Sequence, residues 1–341
     1  MKTIKVAING FGRIGRSFLK VAWDRPEIEI VAVNDLGSIE NMAYLLKYDT
    51  VYKKWNHDIK AEGQEIIIDG KRIKVLAEKE PTKLPWKDMG IDVVVESTGL
   101  FASYEKAKVH LDAGAKKVVI SAPAKDESGG APGETILMGV NEEKFGTCDV
   151  TSNASCTTNA ASPLIAILDE AIGIEKAILN TVHGYTASQS IVDGPSKKDF
   201  REGRAAAQNI VPSSTGAAIA VTKAFTKLSG LFDGISMRVP VPAGSIVDIT
   251  FIAKRDTTAE EVNEILKKAS QEDRWKGIFN VTEEELVSSD ILGSPYGSMA
   301  DLKMTRVVGG NLIKVMGWYD NEMGYTHTLV DHVIKTGNSI K

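Results

Sequence analysis

Only two cysteines occur in 341 residues, Cys148 and Cys156. That count excludes a disulfide scaffold and suits a reducing compartment. There is no run of 18 or more apolar residues, so no membrane-spanning helix is expected. The N-terminus enters a strand at once, from Thr3 to Asn9, without a signal peptide, which points to the cytoplasm. An excess of either charge is also missing: 41 Lys and Arg against 45 Asp and Glu leave a net charge of -4, with a pI near 5.9. Neither value favours a nucleic acid or a membrane surface as partner. Basic pairs such as Lys116-Lys117 and Lys197-Lys198 are short and read as solvated surface. No internal repeat, low-complexity tract or long linker is found, and no metal is expected. What remains is ordinary globular composition, 43% hydrophobic and 25% charged, in a chain long enough for two domains with cores of their own.

The first strand runs into Gly10-Phe11-Gly12-Arg13-Ile14-Gly15, and a helix (Ser17 to Ala22) and a second strand (Ile28 to Val33) follow, ending in Asn34-Asp35. This is G-x-G-x-x-G in a strand–loop–helix–strand context. Gly10 permits the tight turn, Gly12 lets backbone approach a pyrophosphate, and Gly15 lets helix pack on strand. The helix N-terminus then faces the phosphates. Asp35 can accept hydrogen bonds from a ribose hydroxyl and would repel a 2′-phosphate, which favours NAD over NADP. A glycine-rich loop alone also fits an ordinary strand–helix turn; the surrounding pattern argues for the dinucleotide.

Cys156 stands in Ser155-Cys156-Thr157-Thr158-Asn159, just before an apolar helical run, and the chain returns after a strand to His183-Gly184-Tyr185-Thr186. A thiol at a helix start meets unpaired N–H groups and the positive dipole end, and a nearby imidazolium would lower its pKa to roughly 3.5–7.5. Such a cysteine is expected to be ionised and reactive, with the histidine as its base. Each residue alone also fits a bland role, Cys156 as a small buried side chain and His183 as a structural histidine. Cys148 has no catalytic company and reads as structural.

Strands alternate with helical segments through the first half: a helix at Asn41 to Tyr48, a strand pair near Glu65 to Ile68 and Ile73 to Leu76, a strand at Asp92 to Glu96, a helix at Tyr104 to Ala113, and strands at Lys117 to Ser121 and Asp149 to Ser152. This is the pattern of a Rossmann-type, doubly wound parallel sheet. Ser97-Thr98-Gly99 and Ser121-Ala122-Pro123 follow strands at the carboxyl ends, where such sheets bind ligands. From Cys156 onward the strands lengthen, at Ile174 to His183, Gly234 to Pro240, Ser245 to Lys254 and Leu312 to Tyr319, with a helix at Thr258 to Gln271. That predicts an α+β domain with a mostly antiparallel sheet and helices on one face. The α/β reading therefore has an NAD-binding domain at 1–155, a catalytic and substrate-binding domain at 156–321, and a last helix in 322–341 that packs back on the first.

Together these segments resemble the phosphorylating glyceraldehyde-3-phosphate dehydrogenases. The matches are Asn9 to Arg16, Leu46-Lys47-Tyr48-Asp49, Ser152 to Asn159, His183 to Thr186, Gly203 to Ala217, Arg238-Val239-Pro240 and Tyr319-Asp320-Asn321-Glu322, essentially end to end. The resemblance implies that Cys156 attacks the aldehyde carbon of glyceraldehyde 3-phosphate, that His183 takes the hydroxyl proton as hydride leaves for NAD, and that inorganic phosphate resolves the thioester. It implies that Arg13 and Ile14 offer backbone to the pyrophosphate, that Ser121 lies near the nicotinamide-side ribose, and that Asn321 holds the nicotinamide carboxamide. Thr186 and Arg238 match the pocket for the substrate's phosphate. Ser155, Thr157, Thr215 and Gly216 match the pocket for the attacking phosphate. The family is a homotetramer, and Val192 to Ser196 matches its inter-subunit loop.

The chain departs from the family pattern at several points. Glu202 stands where some bacterial members carry a second arginine, so phosphate affinity is left open. Met323, Ile219 and Ala160 replace a usual tryptophan, lysine and second cysteine, and Ala243-Gly244 replaces the common Asn-Val before Ser245. None removes a catalytic group. Two other readings stay open: a dehydrogenase that uses erythrose 4-phosphate or lets water resolve the thioester, and a nucleotide- or RNA-binding module.

Overall fold

The computed structural model describes residues 3–125, 133–196 and 199–340. The chain divides into two compact units. The first is built from Met1–Ile136, Glu142–Ala154 and Leu329–Lys341, the second from Leu137–Asn141 and Ser155–Thr328.

The first unit holds a nine-stranded sheet in the order Gly133–Thr135, Val150–Ser152, Lys117–Ile120, Val93–Glu96, Ile4–Asn9, Ile28–Asn34, Lys71–Leu76, Glu65–Ile68 and Ile59–Glu62. The first seven are parallel to one another and the last two close the edge as antiparallel strands. Val93, Val94 and Val95 are wholly buried, the unbroken apolar run of a parallel strand covered on both faces. The strand order reverses between Ile4–Asn9 and Val93–Glu96, which puts the Gly10 and Ser97 turns on either side of a switch-point crevice. Helix Arg13–Ala22 buries Gly15, Phe18, Leu19 and Ala22, spaced as one helical face.

The final helix, Met323–Asn338, brings its Leu329–Asn338 portion into this unit. There Asp331 pairs with Arg25 at 2.9 Å, and His332 is buried between Thr151 and Asn153. A Cβ on Gly337 would stand 2.5 Å from the Ile4 side chain.

One surface reading is corrected: Lys117 is only 7% exposed, its Nζ bonded to the Cys148 carbonyl and to Asp149. A strand's inward position can hold a lysine when the ammonium finds an acceptor and a carboxylate. The pair Lys197-Lys198 lies outside the described residues. Cys148 is partly buried, its Sγ donating to the Val150 carbonyl, and burial pushes its thiol pKa up.

The second unit holds an eight-stranded sheet in the order Val211–Ser214, Phe232–Val239, Ile174–Gly184, Ser245–Ala253, Leu312–Tyr319, Ser298–Asp301 and Phe279–Thr282, with Arg306–Val308 paired to Leu312–Tyr319 off this path. Its pairings are antiparallel except Ile174–Gly184 with Phe232–Val239 and Phe279–Thr282 with Ser298–Asp301. Ser245–Ala253 alternates strictly, with Val247, Ile249 and Phe251 buried, as a sheet with one covered face requires. Helix Cys156–Ile172 presses on that face so closely that a Cβ on Gly317 would meet both Leu164 and Val247. On the opposite side Ile178 and Ile235 lie open, 60% and 48% exposed.

Candidate active site

Helix Cys156–Ile172 begins under an N-cap, Ser155, whose Oγ accepts the Thr158 N–H at 3.1 Å. The residue before it, Ala154, takes a left-handed φ of +54°, uncommon for a residue with a side chain, with its N–H on Ser152 Oγ at 3.0 Å. This turn places Cys156 at the first helical position. Its Sγ lies 3.4 Å from Nε2 of His183, near the end of strand Ile174–Gly184. The Nδ1 of His183 donates to the Gly184 carbonyl at 2.6 Å. A carbonyl only accepts, so the proton sits on Nδ1 and Nε2 presents its lone pair to the thiol.

Desolvation works against the expected ionisation of the thiol. Burial pushes the Cys156 thiol up, against the opposing pull of the Arg238 charge and of hydrogen bonds from Thr157 and its own backbone. Burial, and then the Arg238 guanidinium, hold His183 down at about 3. Both shifts favour a neutral thiol facing a neutral imidazole. A helix terminus lowers a thiol's pKa only where desolvation does not outweigh it.

Arg238 comes from strand Phe232–Val239, where it is the register partner of His183. Its Nε and Nη1 atoms are buried and, among the described residues, find no hydrogen-bond partner. A buried cation with two unused donors is the signature of an anion site. Thr186, one turn past the histidine, is half-buried, with Oγ1 at 3.1 Å from Ser188.

The residues expected at the second pocket lie at two neighbouring helix starts. Thr158 Oγ1 reaches the Ala217 carbonyl at 3.5 Å, joining the Cys156 helix start to that of Ala217–Ala224, whose N-cap is Gly216. Ser155, Thr157, Thr215 and Gly216 all lie along these two helix starts. Thr215 Oγ1 accepts the Ala217 N–H at 3.2 Å. The Thr157 hydroxyl is turned inward onto Tyr319 at 2.9 Å, while its backbone N–H serves the Cys156 sulfur. Glu202 accepts the Ser213 hydroxyl at 3.0 Å, while Arg201 is exposed and paired with Asp199.

Asn321 is buried, and its Oδ1 accepts from the Gly244 N–H and the Ser245 hydroxyl, each at 3.0 Å. An N–H needs an acceptor, so the oxygen faces these donors and Nδ2 turns away as a donor. Tyr319, missed in the sequence as a site residue, packs edge-on to His183 at 5.9 Å and bonds Thr157 and Thr181 through its hydroxyl. Its signal was present in the Tyr319-Asp320-Asn321 segment, but the ring's direction depends on the sheet.

In the first unit the glycine loop fits a dinucleotide. Gly10 has φ +95°, and a Cβ there would stand 2.7 Å from Ser97 backbone. A Cβ on Gly15 would strike the Gly10 carbonyl at 2.2 Å, so helix and strand meet with no space for a methyl. A Cβ on Gly12 would meet nothing within 4 Å among the described residues beyond its chain neighbours, the open side a pyrophosphate needs. Arg13 and Ile14 form the first turn of the helix behind it. Asp35 accepts from Phe11 N at 2.7 Å and Gly37 N at 2.9 Å, which fixes its carboxylate beside the loop with lone pairs still available. Ser121 donates to the Glu96 carbonyl at 3.0 Å at the ends of neighbouring strands.

Residues 4–104 match the family model described as the NAD binding domain of glyceraldehyde 3-phosphate dehydrogenase, and residues 155–321 match its C-terminal domain. The chain is 48% identical to a glyceraldehyde-3-phosphate dehydrogenase of Streptomyces coelicolor, covering 99% of this chain and all of the relative. It is also 48% identical to glyceraldehyde-3-phosphate dehydrogenase 1 of Bacillus subtilis and 46% identical to glyceraldehyde-3-phosphate dehydrogenase B of Aspergillus oryzae, each over 96% of this chain. With an NAD-binding Rossmann domain followed by a mostly antiparallel catalytic domain, the chain belongs to the glyceraldehyde-3-phosphate dehydrogenase family.

Proposed function

We propose that the chain oxidises D-glyceraldehyde 3-phosphate in the presence of inorganic phosphate, giving 1,3-bisphosphoglycerate and reduced NAD, as a step of glycolysis and gluconeogenesis. The observation that carries this is the Cys156–His183 contact at 3.4 Å beside the two unpartnered donors of Arg238: a nucleophile, its base and a buried seat for an anion. The thiol proton passes to His183 Nε2 as sulfur bonds the aldehyde carbon, and returns to the new alkoxide to give a thiohemiacetal. NAD supplies the hydride acceptor. His183 Nε2 takes the hydroxyl proton as the thioester forms, and an anion on Arg238 relieves the positive field that adds to burial in holding His183 down. Phosphate oxygen then attacks the thioester carbon, and Cys156 leaves as thiolate to recover its proton from His183.

In this reading Arg238 and Thr186 hold the substrate's phosphate, and Ser155, Thr157, Thr215 and Gly216 hold the attacking one. Arg13, Ile14 and the three glycines cradle the pyrophosphate, Asp35 and Ser121 take the riboses, and Asn321 Nδ2 holds the carboxamide, so that one ring face receives hydride. NAD binding belongs to residues 1–155 and catalysis to 156–321, with the final helix returning to the first. The enzyme works in the cytoplasm on small molecules, as a homotetramer. Among the described residues no helix is long and apolar enough to cross a membrane.

The test follows NADH absorbance with purified protein, NAD and glyceraldehyde 3-phosphate, with and without phosphate, beside an NADP control. Rapid reduction of NAD only with phosphate is expected. Phosphate-independent turnover would mean hydrolysis of the thioester, and no turnover would move the reading to another aldehyde such as erythrose 4-phosphate, or to a binding module.

A further inference from the structure

Strand Ser245–Ala253 lies between the His183 strand and strand Leu312–Tyr319, antiparallel to both. Ser245 pairs with Tyr319 and Ile246 with Val182, so the first residue of this central strand stands where both neighbours deliver functional groups. Ser245 is 2% exposed. Its hydroxyl donates to Asn321 Oδ1 at 3.0 Å and accepts the Gly184 N–H at 3.2 Å. Both directions are forced, because an amide oxygen only accepts and a backbone N–H only donates.

Gly184 is thereby held at both ends, its N–H by Ser245 and its carbonyl by the His183 ring. An unbroken series of contacts runs from Cys156 Sγ through both nitrogens of His183, across Gly184 to the Ser245 hydroxyl, and on to the Asn321 amide. Gly244 makes the last contact possible. Its φ is +87°, and a Cβ there would stand 2.5 Å from the Ser288 carbonyl, so a glycine turns the chain and sends its own N–H to the same Asn321 oxygen. This accounts for glycine at one of the positions where the chain departs from its family.

We propose that Ser245 is a positioning residue: one hydroxyl sets the base His183 and the amide of Asn321 in a common register, so that proton removal and hydride acceptance are aligned by the same atom. The proposal rests on the reading of Asn321 as the holder of the nicotinamide carboxamide.

The test uses Ser245→Ala and, closer in volume, Ser245→Cys, in the full-length protein. Three quantities are read: kcat and KM for the aldehyde, the nicotinamide face that receives deuterium from the C1-deuterated aldehyde, and the rate of Cys156 alkylation by iodoacetamide from pH 6 to 10 in cofactor-free protein. Ser245→Ala is expected to lower kcat by ~10- to 100-fold with KM unchanged. It should also deliver deuterium to both faces and slow alkylation below pH 8, with Ser245→Cys falling between it and the wild type. A variant that loses only thermal stability, with wild-type face selection, kcat and alkylation, overturns the proposal. If Ser245→Ala does not fold, Ser245→Cys is judged alone by the same criteria. If the wild-type protein does not reduce NAD, the dehydrogenase reading fails, while an unchanged alkylation profile in the variants separately overturns the link from Ser245 to the catalytic pair.

Discussion

With its thiol held up by burial and its imidazole held down by burial and by Arg238, the Cys156–His183 pair is biased toward its uncharged form near neutral pH. The thiolate fraction therefore keeps growing through and beyond the ordinary thiol range of about 8.5. Alkylation of Cys156 by iodoacetamide should rise roughly tenfold per pH unit between 7 and 8.5 with no plateau below 9, as followed by mass spectrometry. A plateau reached by pH 7 would show a thiolate–imidazolium pair and refute this charge balance. The identity of the pair was legible, because cysteine before an apolar helical run and histidine after a strand are local patterns. The protonation state was not, since desolvation belongs to the packed interior. Ser245 escaped notice for a related reason: a serine opening a strand is commonplace, and its partners Gly184 and Asn321 lie 61 and 76 residues away.

At the scale of elements, the glycines of the dinucleotide loop separate binding from folding. Gly12 has φ −71° and open space around it, so Gly12→Ala should leave stability within about 0.5 kcal/mol of the wild type while weakening NAD binding. Gly15→Ala, whose methyl would meet the Gly10 carbonyl, should lower both thermal stability and NAD affinity. Calorimetric titration beside a melting curve checks the contrast; equal NAD affinity in Gly12→Ala and wild type would deny the cradle its role. Long strands with clear periodicity were legible within one or two residues, as Leu312–Tyr319 shows. Ile59–Glu62 and Gly133–Thr135 were not, being too short to display a period. The helix expected over Tyr104 to Ala113 is two pieces, Tyr104–Ala107 and Val109–Asp112. The second carries buried His110, tied to Trp86 Nε1 at 3.2 Å and Glu96 at 2.9 Å, partners that local propensity does not see.

For the molecule as a whole, the homotetramer proposed above needs apolar faces for its copies, and the second sheet leaves one open. Ile178 and Ile235 stand on neighbouring strands there, Ile235 in register with Asn180. Light scattering should give four times the 36.9 kDa chain mass, and Ile178→Asp combined with Ile235→Asp should yield smaller species with the fold retained. A wild-type protein of single-chain mass would contradict the tetramer. The division into two layer types was legible from the change in strand texture after Cys156, whereas surface apolar residues carry no period from which a partner can be read. Finally, the first unit is closed by residues that follow the whole of the second in the chain: Gly337 is pressed on Ile4 and Asp331 pairs with Arg25. On a ribosome, the dinucleotide-binding half therefore begins before the catalytic half and is completed after it. The catalytic half, almost contiguous in sequence, can be whole before the chain is released.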